Sequence, residues 1–309
     1  MTIVTSYDCP DIDGIACMIA YSEFLNASGM PAKAVYYGDI GLEVKFVQQF
    51  TGYFPVEKHS GEYGPDDRFV LVDTADPEAM EPTISPEHVI ELFDHRELVF
   101  TEQFINARKT IEPVGSCATL IVERLKTHGF VPSPKTATYL YSAIVSSTVD
   151  FRNSVTTARD KNAADYLKTL IDLPDDYTKR MFESKSNISA DNLYEVIFQD
   201  ISPKTIGGKK TCIAQIEIAN LESTLTALKE ELLTVLNRIR KEEHLEYFFF
   251  TGVDILKGYN ILLTIDGKSE AILSEALGIP RQPEHKTGSI LMRKQLWPKI
   301  EAVIRRLEK

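Results

Sequence analysis

The chain has 309 residues, 43% hydrophobic and 26% charged, a balance that supplies a sizeable core and excludes a disordered or fibrous polymer. Lys and Arg number 34 against 45 Asp and Glu, a net charge of −11, the wrong sign for a broad surface gripping a nucleic-acid duplex by its phosphates. No apolar run approaches the roughly 18 residues of a membrane span, and the first residues, MTIVTSYD, have no signal-peptide pattern, so the expected compartment is the cytoplasm.

In chain order, residues 3–5 read as a strand, 14–25 as a helix with Ile15, Met18, Ile19 and Phe24 on one face, and 34–37 as the next strand. Residues 69–72 and 89–93 are apolar runs of strand length, each closing on an acid, Asp73 and Asp94. Such runs are central strands of a mostly parallel sheet, and their alternation with helices predicts a doubly wound α/β domain with helices on both faces. After Gly115 the pattern is helical over 117–128, 135–149 and 158–170. A polar stretch over 174–191 marks the domain boundary, placed at residue 188: domain one is 1–188 and domain two 189–309. The second domain is expected to be a smaller α+β unit, with strands at 210–218, 247–250 and 261–265, a long helix at 221–242, and helices at 269–277 and 298–307. Cys9, Cys17, Cys117 and Cys212 form no C-x-x-C pair, which argues for unreactive thiols rather than a disulfide framework or zinc knuckle.

The strongest chemical cluster is Cys9-Pro10-Asp11-Ile12-Asp13-Gly14, between the first strand and the first helix. Two carboxylates at that turn, where open α/β sheets bind ligands, suit a hard cation. The plainer alternative is that Asp13 caps the helix and Asp11 is solvated. Asp73 and Asp94-His95 follow two further buried strands on what should be the same rim. Asp11, Asp13, Asp73 and His95 offer oxygen and nitrogen without thiolate, a donor set for Mn²⁺ or Mg²⁺. Asp73 could bridge two ions in a phosphoryl transfer. Asp94 is expected to orient His95, because a ligating imidazole needs a partner for its other nitrogen.

The order PDID at 10–13, VDTAD at 72–76, FDHR at 93–96 and PVGSCAT at 113–119 resembles the DHH phosphoesterase superfamily. Within it the chain is similar to manganese-dependent family II inorganic pyrophosphatases and related exopolyphosphatases, and residues 213–217 and 293–295 fall where the DHHA2-type second domain carries similar segments. The resemblance implies a metal-dependent hydrolase of a phosphoanhydride or phosphoester. Its active site would lie in the cleft between the domains, with one or two Mn²⁺ (or Mg²⁺) ions and metal-bound water as nucleophile. It implies a small phosphorylated substrate, makes an oligonucleotide a poor candidate because the second domain lacks a GGGH-like motif, and suggests a homodimer.

The resemblance also locates departures. Tyr7 stands where the family has a metal-binding His, Arg96 replaces the second His of Asp-His-His, and Ser147 stands where a metal-binding Asp is expected. Ser202 and Met292 take the places of a substrate-binding Lys and Arg. Asp13, Asp73 and His95 could still hold one ion, with Ser147 as a weak neutral ligand, and Asp11 and Asp73 retain part of a second. Asp8 and Asp150 are weaker substitutes. As catalytic residues we expect Asp73, His95 and Arg96, the last either holding phosphate bidentately or pairing with Asp94 or Glu97. Arg293 and Lys294 are the expected substrate contacts of the second domain. The alternative is a degenerate protein that binds a phosphorylated ligand without efficient catalysis.

Overall fold

The structure, a computed structural model, describes residues 1–60, 62–76, 80–96 and 101–307. The chain divides into two units, Met1–Ser184 and Lys185–Lys309. In the first unit the elements run β1 (Thr2–Thr5), α1 (Ile12–Ala27), β2 (Ala32–Tyr36), α2 (Leu42–Thr51), β3 (Val56–Lys58), β4 (Arg68–Val72), β5 (Val89–Asp94), β6 (Arg108–Ile111), α3 (Cys117–Thr127), α4 (Pro134–Ser147), α5 (Ala158–Lys168) and α6 (Tyr177–Lys185).

These strands form a six-stranded sheet in the order β3-β2-β1-β4-β5-β6, and every pairing in it is parallel. The chain builds outward from β1 to β3, then returns beside β1 and builds outward the other way. The order therefore reverses between β1 and β4, the place where loops diverge and open α/β sheets leave a crevice for ligand. Alternation along the strands sends Ile3, Phe69, Leu71 and Leu92 into one cluster with Met80, Ile84 and Phe104. Helix α1 packs against α3 and α4, and nearly all of it is buried, so it is apolar around most of its girth.

The second unit runs α7 (Leu193–Gln199), β7 (Ile201–Ile206), β8 (Lys209–Ile218), α8 (Leu221–Ala227), α9 (Lys229–Glu242), β9 (Tyr247–Asp254), β10 (Tyr259–Thr264), α10 (Gly267–Leu277), β11 (Glu284–Lys286) and α11 (Arg293–Leu307). Its five-stranded sheet has the order β11-β10-β9-β8-β7, with only β8 and β9 parallel. The period of two along β9 is plain: Phe248 and Phe250 enter a core with Leu193, Leu221, Leu232 and Leu236, whereas Tyr247 and Phe249 enter another with Leu273, Leu296, Trp297 and Ile300. Helices thus cover both faces of this sheet.

Two expectations change. The long helix at 221–242 is broken at Leu228, whose backbone (φ −111°, ψ 24°) leaves the helical region, although Leu232 N–H still donates to Leu228 O at 2.8 Å. The last helix starts at Arg293, not at residue 298, and Pro298 lies inside it. Among the described residues no helix is long and apolar enough to cross a membrane. Cys17, Cys117 and Cys212 are buried free thiols, and Cys9 is exposed.

Candidate metal centre

The carboxyl ends of β1, β4 and β5 each deliver an acid or imidazole to the switch point. Asp11 is the N-cap of α1: its Oδ1 accepts from Asp13 N at 2.8 Å and Gly14 N at 3.2 Å. Asp13, buried in the first turn, turns instead toward α3. Its Oδ1 accepts from Ser116 Oγ at 3.0 Å and Ala118 N at 2.9 Å, and its Oδ2 from Cys117 N at 2.8 Å and Ser147 Oγ at 3.2 Å. The carboxylate therefore meets the positive end of a second helix and joins α1, α3 and α4. Of the two acids, Asp11 rather than Asp13 caps its own helix.

Asp73 is buried and takes a left-handed backbone (φ 57°), a conformation that Asp and Asn tolerate better than other side chains. Its Oδ1 lies 3.3 Å from His95 Nε2 yet has no hydrogen bond, and Oδ2 of Asp94 and the Ser6 hydroxyl are likewise buried without one. His95 Nδ1 is 3.0 Å from the carbonyl of Val114. The ring donates there, and Nε2 is held toward Asp73. Burial and the charge of Asp13 push the Asp73 carboxyl up to about 7. Burial opposes a charged His95 ring, but Asp73 and Asp13 outweigh it and push the imidazole up to about 10.

Asp13, Asp73 and His95 each present a donor atom, and these atoms lie within 4.8 Å of one another. Buried carboxylate oxygens without a hydrogen bond are costly, and a divalent cation is the partner that such a set of two oxygens and one nitrogen accommodates. The residues present thus fit the Mn²⁺ or Mg²⁺ expected from sequence.

The other expected residues divide. Tyr7 is at the centre: its Oη accepts from Asp11 N at 3.2 Å, and the Arg96 guanidinium lies over its ring at 5.7 Å. Burial and the charges of Asp11 and Asp73 push its phenol well above the usual tyrosine value, which keeps it protonated. Arg96 lies 4.0 Å from Asp73 Oδ1 and 3.8 Å from Asp94 Oδ2, with its side chain half exposed; Glu97 lies outside the described residues. Asp94 does not orient His95 as expected: its Oδ1 accepts from Arg96 N at 3.0 Å, and the Val114 carbonyl takes the role instead. Asp8 is exposed, with its carboxylate beside Gly38, and Asp150 pairs with Arg152 at 3.0 Å. Neither joins the group of Asp13, Asp73 and His95. Val149, Asp150 and Phe151 form a run of left-handed non-glycine residues, costing roughly 1–2 kcal/mol each. The turn is fixed by Asp150 N to Val145 O at 2.8 Å and Asn153 N to Thr148 O at 2.9 Å, directly after Ser147.

In the second unit Arg293 is committed to Asp200, donating from Nη1 to its carbonyl at 2.8 Å and to Oδ1 at 2.6 Å, while its backbone N–H donates to Gln215 Oε1 at 2.8 Å. Lys294, the next residue, is exposed.

One supporting residue escaped the sequence reading. Asp160, wholly buried in the first turn of α5, accepts from Gly115 N at 2.9 Å, Thr119 Oγ1 at 2.6 Å, and both N and Oγ1 of Thr157 at 2.7 Å. It pins the loop that carries the Val114 carbonyl and the N–H groups facing Asp13. The capping-box spacing of Thr157 and Asp160 was its signal in the sequence. A Cβ on Gly115 would lie 2.6 Å from Thr148 Cγ2 and 2.9 Å from Asp160 Oδ2, and neither neighbour can retreat. Gly115→Ala should therefore lose about 1–3 kcal/mol of stability in urea unfolding; a change within about 0.5 kcal/mol, the usual scatter of surface substitutions, would contradict this packing.

Residues 179–303 match the DHHA2 domain. Over 306 residues, 97% of each chain, the protein is 25% identical to a "Probable manganese-dependent inorganic pyrophosphatase" of Clostridium acetobutylicum. It is 28% identical over 308 residues, 96% of each chain, to one of the same name from Bacillus cereus strain 03BB102. Among solved structures, a Methanococcus jannaschii protein assigned to the family II inorganic pyrophosphatases superposes with a TM-score of 0.76 at 24% identity, covering 98% of this chain and 99% of that one. An exopolyphosphatase-related protein from Bacteroides fragilis superposes with a TM-score of 0.53 at 11% identity, covering 99% and 92%. The chain therefore carries a DHHA2 domain and is homologous, along almost its whole length, to the manganese-dependent family II inorganic pyrophosphatases.

Proposed function

We propose that the protein is a divalent-metal-dependent hydrolase of a phosphoanhydride, inorganic pyrophosphate or a short polyphosphate. The observation that carries this reading is the convergence of Asp13, Asp73 and His95 at the switch point, with Asp73 Oδ1 buried and without a hydrogen bond. These three residues would hold Mn²⁺, and Asp11, exposed at the same turn, is the candidate for a second ion. Bound metal would polarise a phosphoryl oxygen and acidify water for attack at phosphorus. Arg96 supplies a half-exposed guanidinium for the phosphate, with Tyr7 beneath it as a protonated donor. Arg293 and Lys294 remain the proposed phosphate contacts of the second unit, Arg293 held rigid by Asp200. The homology to manganese-dependent pyrophosphatases supports the reaction class.

A second reading, phosphate binding without efficient turnover, is favoured by the Ser147 hydroxyl bonded to Asp13 in a place where a carboxylate would attract metal more strongly. Phosphate release from pyrophosphate and tripolyphosphate across a Mn²⁺ titration separates the two. Release that requires Mn²⁺ establishes the hydrolase, and ligand binding without release establishes the alternative. Ser147→Asp adds a carboxylate beside Asp13 and should tighten Mn²⁺ roughly ten-fold or more, the scale on which donors around a metal act. Equal or weaker affinity in that variant would remove the idea that Ser147 stands in for a ligand.

A further inference from the structure

The second unit has a groove of about 560 Å³ between the edge strand β7 and one face of α11, lined by Lys204, Lys294, Trp297, Pro298, Glu301 and Arg305, with Ala302. That volume is within the range of about 300–1,000 Å³ usual for organic ligands. Its charge runs against the rest of the molecule: Lys204, Lys294 and Arg305 face one carboxylate, Glu301, in a chain of net charge −11. The Lys204 ammonium lies 4.8 Å from the centre of the Trp297 ring, whose Nε1 donates to Ser202 Oγ at 3.3 Å. Arg305 is held by Glu301 at 2.6 Å. The floor between these cations is apolar, made by Trp297, Pro298 and Ala302.

We propose that this groove binds an organic phosphate of nucleotide size, with its ring on the Trp297–Pro298–Ala302 floor and its phosphates among Lys204, Lys294 and Arg305. A bare phosphate would use the cations and leave the floor wet, and an uncharged ring would leave three cations unanswered. Binding exchanges the contact of Lys204 with the indole for a charge-assisted bond to phosphate and opens the ring face to the ligand. The site lies wholly in the second unit and does not rest on the metal centre.

Trp297 is the single tryptophan of the chain, so its fluorescence reads the groove directly. ATP is titrated into the full chain in chelated, metal-free buffer, with tripolyphosphate and adenosine as separate arms. The expected result is a saturable change with ATP bound at least roughly ten-fold more tightly than either fragment. It should weaken with salt, be lost in Lys204→Ala and Arg305→Glu, and be kept in Lys204→Arg and in Asp73→Asn. Circular dichroism of the variants checks their fold. Absence of saturation at millimolar ATP, equal binding of tripolyphosphate, or undiminished binding in Lys204→Ala would each overturn the proposal, and loss in Asp73→Asn would assign the signal to the metal centre instead.

Discussion

Asp73→Asn should lower Mn²⁺-dependent phosphate release by at least roughly three orders of magnitude, about 4 kcal/mol of barrier, and should raise the melting temperature of the metal-free protein. The two effects have one cause. Asp73 is buried, its Oδ1 has no hydrogen bond, and its charge faces that of Asp13. Without a cation it is therefore a liability, and with one it is the ligand between Asp13 and His95. Asn keeps the shape and tolerates the left-handed backbone at φ 57°, so the substitution isolates the charge. Replacing an uncompensated buried charge by a neutral group is commonly stabilising. Calorimetry with and without Mn²⁺ measures both sides, and the expected signature is a metal-induced rise in melting temperature for the wild type that the variant lacks. An active Asp73→Asn, or one whose metal-free form melts lower, would show that this carboxylate is structural.

The second large effect belongs to a residue that touches no ligand. Asp160→Ala should cost about 3–5 kcal/mol in urea unfolding, the scale for stranding the partners of a buried charged group. The N–H groups of Gly115 and Thr157 and the hydroxyls of Thr119 and Thr157 all point at this carboxylate. Asp160→Asn should lose nearly as much, because the amide NH₂ would face donors. Mn²⁺ affinity should fall with it by roughly 10–100-fold, as for other groups that orient metal ligands, since the loop pinned by Asp160 carries the carbonyl that orients His95. A stable Asp160→Asn with unaltered Mn²⁺ affinity would sever the loop from the centre.

What was legible in the sequence follows the physics of each element. β1, β4 and β5 are central strands, buried on both faces, so their composition is continuously apolar and their ends are marked by acids; the site residues Asp13, Asp73 and His95 were read from those ends. β3 and β6 lie at the edges of the first sheet, and with sequences VEK and RKTI they have no apolar run to betray them. β7, ISPKTI, is another edge strand and contains Pro203, which normally argues against a strand. Pro298 was taken as a helix start because proline favours the first turn, yet α11 begins at Arg293. In the site, the orienting partner of His95 is a backbone carbonyl, which leaves no mark in any side-chain pattern. Asp160 reaches Gly115 across 45 residues, a contact that spacing cannot announce even where the capping box can. Asp13 was weighed as a cap on its own helix, and the structure shows that it meets the N–H groups of α3, a pairing set by how the two helices pack.

The central claim is that Asp13, Asp73 and His95 form one cation site, and Mn²⁺ titration of the wild-type chain followed by electron paramagnetic resonance tests it most directly. Free hexaaqua Mn²⁺ gives a sharp signal that is lost on binding, so the stoichiometry and affinity are read without reference to any substrate. The account predicts at least one equivalent bound at micromolar free Mn²⁺ or below, abolished in Asp73→Asn and weakened in His95→Gln. Full-strength free Mn²⁺ signal throughout the titration, or binding indifferent to both substitutions, would contradict it.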